Sequence, residues 1–153
     1  AAEVFPDGRR AATLGEDGTT AVWSTDSGEL LLRLASMGED LHTELRIVGS
    51  NALVTGGSAA SGDPAIIWDA DDGSVRHSLR QPRGVIRKIE ASPCGRRLLT
   101  ADWTEVYVWC AVSGRLEREF PMAMGWHWRL ALDWGGGVVI GCFQGMLSTF
   151  RGG

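Results

Sequence analysis

An all-β protein made of repeated units of four short antiparallel strands is the fold class this sequence predicts, and three observations carry it. Trp23, Trp68, Trp109 and Phe150 close similar stretches at steps of 45, 41 and 41 residues. A pitch in the forties is that of a blade or solenoid unit. Each stretch opens on a tight-turn signal: Phe5-Pro6-Asp7-Gly8, Gly49-Ser50-Asn51, Ser92-Pro93-Cys94-Gly95 and Asp133-Trp134-Gly135-Gly136. Between turns lie runs of four to six residues rich in Val, Leu, Thr and Trp, the chemistry of strands bounded by Gly, Asp, Asn and Pro.

The first unit, 1–34, offers strands at 3–5, 11–14, 19–23 and 29–34, with Asp17-Gly18 as a hairpin turn between the second and third. Leu30 to Leu34 reads as a strand because the run is short and bounded by turns. The second unit, 35–79, follows a polar connector and predicts strands at 45–48, 52–55, 65–68 and 74–79. Its Gly- and Ser-rich loop from Gly56 to Asp63 is longer than its counterparts, and Pro64 can only begin a strand because it donates no ladder hydrogen bond. The third unit, 80–120, is the best formed, with strands at 85–91, 96–101, 105–110 and 115–120. Val106 and Val108 alternate there with Tyr107 and Trp109, which suits a strand covered on both sides. The fourth unit, 121–153, supplies strands at 127–132, 138–142 and 146–150, and its outer strand is absent from the sequence.

Composition fits turn-rich strands: of 153 residues 44% are hydrophobic and 21 are Gly. A net charge of −4 argues against a nucleic-acid or anionic-membrane surface, and no apolar run reaches the ~20 residues of a membrane helix. Cys94, Cys110 and Cys142 form an odd set without a CxxC pair, so an intracellular, cytoplasmic or nuclear setting is expected. His42, His77 and His127 are scattered, and neither a metal nor a cofactor is expected.

In these residues the chain resembles the WD-repeat family, whose pattern is a Ser-Pro-Asp-Gly-type turn, a Ser or Thr in the second strand, an Asp in the next turn and a Trp ending the third strand. The matching residues are Thr13, Asp17 and Trp23; Thr55, Asp63 and Trp68; and Thr100, Asp102 and Trp109. The resemblance implies a β-propeller of about four four-stranded antiparallel blades, the last lacking its outer strand. It also implies a buried hydrogen-bond relay in each blade, each polar group being worth ~1–3 kcal/mol if left unpaired. The repeats are degenerate. The family's Gly-His pair is missing, and Ile140, Gln144 and Phe150 stand at the fourth unit's Thr, Asp and Trp positions. A quinoprotein-like propeller is the alternative. Because such propellers usually have more blades, the chain reads as part of a longer ring, or as an arc that closes on another copy of itself.

Catalytic motifs are lacking: there is no GxSxG, HExxH or P-loop, and the glycine runs sit in hairpin turns. The WD-repeat resemblance therefore implies a non-catalytic scaffold holding a protein or peptide on one rim. Arg83, Trp103, Met124 and Trp126 are candidate contacts there, being residue types enriched at interface hot spots. Packing of Trp126 and Trp128 against the adjacent blade is the competing reading. An enzymatic or cofactor-binding propeller completed by other blades, and a purely structural module, are the remaining functional alternatives.

Overall fold

A computed structural model describes residues 1–34, 44–56, 65–80, 86–102, 104–121, 130–132, 138–143 and 146–151, the last three segments as backbone strands. The described residues are all-β. The first sheet comprises β1 (Ala2–Val4), β2 (Arg10–Leu14), β3 (Thr20–Ser24) and β4 (Leu30–Arg33). The second comprises β5 (Glu44–Val48), β6 (Ala52–Gly56), β7 (Ala65–Asp69) and β8 (Val75–Leu79). The third comprises β9 (Lys88–Ala91), β10 (Arg97–Ala101), β11 (Glu105–Cys110) and β12 (Leu116–Pro121), and the fourth β13 (Leu130–Leu132), β14 (Val138–Phe143) and β15 (Met146–Arg151). In each sheet the strands lie side by side in chain order and pair antiparallel. Among the described residues, three of the sheets thus have four strands and the fourth has three.

Local chemistry explains the meander. Gly8, Gly18, Gly28, Gly73, Gly95 and Gly114 each close a turn with φ between 66° and 78°, a backbone region in which side chains are strained. Asp7, Asp17 and Asp69 cap turns by accepting backbone N–H bonds from Arg9, Thr19 and Asp71. A register shift falls immediately before Trp23, Trp68 and Trp109, on the pairing with the outer strand. This recurrent bulge was not visible in the sequence. The third sheet's first strand is also shorter than expected, with Ile86 and Arg87 preceding β9 rather than belonging to it.

The sheets stack in order. Their first strands make the closest approaches, β1 beside β5, β5 beside β9 and β9 beside β13. Phe5, Ala12, Leu14, Val22 and Leu34 of the first sheet share one core with Leu45, Leu53, Trp68 and Ala70 of the second. Val48, Val54, Ala65, Ile67 and Leu79 of the second share another with Ile86, Ile89, Leu98, Tyr107 and Trp109 of the third. The opposite face of the third sheet gathers Leu99, Ala101, Val106 and Val108. Trp68 and Trp109 therefore each face the preceding sheet. Burying side chains of this size contributes roughly 1.5–3 kcal/mol apiece, so stacking is the main source of stability.

Candidate functional site

Along β5 and β9 the alternation of a strand sorts apolar from charged residues. Leu45 and Ile89 are fully buried, whereas Glu44, Arg46, Lys88 and Glu90 keep about a quarter of their side chains exposed. Stacking the inner strands brings these charges together with Glu3 of β1. Arg46 occupies the middle: Nη1 lies 3.2 Å from Glu3 Oε1, Nη2 3.6 Å from Glu44 and Nε 3.4 Å from Glu90. Lys88 Nζ bridges Glu44 at 3.2 Å and Glu90 at 3.5 Å. Glu3 also accepts the Ile47 backbone N–H at 2.7 Å, and Arg46 donates to the Leu45 carbonyl at 2.7 Å, so both side chains are fixed by backbone as well as by charge.

Three carboxylates surround two cations across three sheets. The cluster can hold a charged group by exchanging one of its own pairs for the ligand's. Glu3, Arg46 and Glu90 recur near the repeat's pitch in the first strands, and that spacing of charges was the signal in the sequence. Sequence reasoning missed it because charges alternating with apolar residues in a strand read as solvent-facing positions.

A second group lies in the third sheet. Asp102 is buried, and its Oδ1 accepts the backbone N–H groups of Thr104 at 2.7 Å and Glu105 at 2.8 Å. The Tyr107 hydroxyl donates to the Glu105 carboxylate and, at 3.4 Å, to Asp102 Oδ2. Burial, followed by these two carboxylates, pushes the phenol well above its ordinary value, which keeps it a donor. Glu105 opens β11 and Lys88 opens β9; Ala101 of β10 pairs with Lys88 and with Val106, so both openings are at the same end of that sheet.

The residues expected from sequence fall into two sets. In the first, Trp23 Nε1 donates to Thr13 Oγ1 at 2.7 Å, Trp68 to Thr55 at 2.8 Å and Trp109 to Thr100 at 2.9 Å, a Trp–Thr pair in each of three sheets. Asp17 lies outside its pair: it is exposed and serves its own turn, where the Thr19 N–H holds its carboxyl below the usual range. Asp102 likewise serves the turn before β11 together with Tyr107. In the second set, Asp63, Arg83, Trp103, Met124 and Trp126 lie outside the described residues. Among the described residues no three His, Cys, Asp or Glu side chains converge as a metal site.

No family model and no curated protein matches the chain. Among solved structures it is similar to the computationally designed Ika4 protein, with a TM-score of 0.74 and 18% identity over 95% of this chain and 86% of that one. It is similar also to the computationally designed Ika8 protein, with a TM-score of 0.69 and 19% identity over 94% of this chain. The chain spans 43% of the Ika8 length. At these identities the likeness is one of fold.

Proposed function

We propose that this chain is a non-catalytic interaction platform, its stacked sheets being WD-repeat-like propeller blades that hold a partner protein or peptide at one end. The observation that supports this reading is the five-residue charge cluster on the inner strands. Arg46 and Lys88 sit among Glu3, Glu44 and Glu90, fixed in position and still about a quarter exposed. Both signs at a fixed spacing select a peptide with alternating charge more than they select a nucleic acid, which a surplus of carboxylates repels. Glu44 and Lys88 open their strands at the end from which the connectors run between sheets, where the sequence also puts Arg83 and Trp103.

The test is fluorescence anisotropy with a library of charged peptides, comparing the parent chain with Arg83→Ala, Trp103→Ala and Glu44→Gln. Asp26→Ala, in an exposed turn at the opposite end, is the control. The proposal predicts that a peptide bound by the parent loses about tenfold or more in affinity with the first three variants and none with the control. Equal binding by all four variants removes this surface.

A further inference from the structure

We propose that the Trp23 face of the first sheet is an interface for a second copy of this chain, covered by that copy's fourth sheet, β13–β15. This goes beyond the platform reading and does not depend on it. The argument rests on one face seen three times. Strand pairing sets Val4, Ala11 and Trp23 in a row across the first sheet, Ile47, Leu53 and Trp68 across the second, and Ala91, Leu98 and Trp109 across the third. Where a sheet precedes, the row is covered at its centre: Leu53 and Leu98 are wholly buried, with Trp68 at 4% and Trp109 at 3% exposure, while Ile47 and Ala91 on the inner strands are half-buried.

In the first sheet Val4 is 61% exposed, and Ala11 and Trp23 are only half-buried. The neighbouring row agrees, since Ala2 is exposed where Leu45 and Ile89 are buried, and Thr13 is half-buried where Thr55 and Thr100 are fully so. The Trp–Thr hydrogen bond that is buried in the other two sheets is partly open in this one. Among the described residues β1 has no approach to β13 like those it makes to β5, so the chain's own fourth sheet does not fill this place.

The rule of stacking names the occupant. The Trp68 and Trp109 faces are each covered by the preceding sheet through that sheet's opposite face, represented in the third sheet by Leu99, Ala101, Val106 and Val108. By register Ile140, Cys142, Leu147 and Thr149 hold the matching positions in the fourth sheet, a largely apolar set. Two copies related by a twofold axis would place each fourth sheet on the other's first sheet, using both faces twice and leaving neither open. The fold has room for this, because a span like this chain fills less than half of the Ika8 protein.

The test is sedimentation velocity on the 153-residue chain over a range of micromolar concentrations, with circular dichroism to monitor folding. Expected is a particle of twice the 16.5 kDa chain mass. Val4→Asp buries a carboxylate in the interface but changes only an exposed position of the single chain, so it should weaken the pairing by about a hundredfold or more with the β spectrum intact. Val112→Asp, at an exposed site elsewhere, should leave the mass unchanged. A monomer throughout, an open-ended series of larger species, or a two-chain particle indifferent to Val4→Asp would each overturn the proposal.

Discussion

The indole N–H of Trp68 donates to Thr55 Oγ1 at 2.8 Å with both residues sealed between two sheets, while the equivalent pair, Trp23 and Thr13, is bonded at 2.7 Å but reached by solvent. The same bond in two environments separates the worth of the hydrogen bond from that of its burial. Thr55→Val leaves the Trp68 N–H without a partner and should lower unfolding free energy by about 1–3 kcal/mol. Thr13→Val should cost less, since water replaces the lost hydroxyl. Urea denaturation of the two variants measures the difference, and equal losses would contradict the burial assigned to the second sheet.

Gly95 and Gly8 occupy equivalent turns with nearly the same backbone, φ being 67° and 68°. A Cβ on Gly8 meets nothing within 4 Å, whereas one on Gly95 comes within 2.5 Å of the Gly49 backbone in the adjacent sheet. Gly8→Ala should therefore cost only the left-handed backbone penalty of about 1–2 kcal/mol. Gly95→Ala should cost clearly more, because backbone cannot move aside as a side chain can. Thermal or urea midpoints of the two variants read the close approach of the second and third sheets.

Removing Arg46 leaves Glu3, Glu44 and Glu90 with Lys88 as their remaining partner within the cluster. These groups are partly exposed, so the expected loss for Arg46→Met is modest, about 1 kcal/mol. Its signature is the salt dependence: the deficit should shrink between 0.05 and 0.5 M NaCl, roughly the range over which the Debye length falls well below 10 Å. A deficit that does not respond to salt would mean that Arg46 contributes packing rather than charge.

Asp69 is held below the ordinary carboxylate range, first by the Asp71 backbone N–H and next by Arg76, whose guanidinium donates at 2.7 Å. A carboxyl whose folded pKa is depressed contributes stability above its unfolded value, near 3.9, and loses it as pH falls through the lower folded value. Asp69→Asn keeps the turn-capping oxygen and deletes the charge. It should therefore be less stable than the parent at pH 7, with the gap closing as pH drops below about 4. Urea midpoints at pH 7 and pH 3 check the sign.

Strand positions were legible because each strand is bracketed by residues with only a few uses. Asp7-Gly8, Asp17-Gly18 and Asp72-Gly73 all close turns where the sequence sets them. The all-β class follows from those brackets and from the recurrence of Trp. What the sequence did not disclose depends on how one sheet lies against the next. The bulge before each Trp is a matter of pairing with an outer strand, and the gathering of Glu3, Arg46 and Glu90 needs three inner strands side by side. The difference between Trp23 and Trp109 is equally hidden, since the two residues look alike in a repeat and differ only in what covers them.

Trp68 and Trp109 each pack on the sheet before them, and nuclear Overhauser contacts between indole and methyl protons test this stacking most directly. With selectively labelled methyl groups, the Trp68 ring should show contacts to Val22 or Leu14 of the first sheet, and the Trp109 ring to Val54 or Ile67 of the second. Contacts from each ring confined to its own sheet, with none across these two boundaries, would contradict the stacked arrangement.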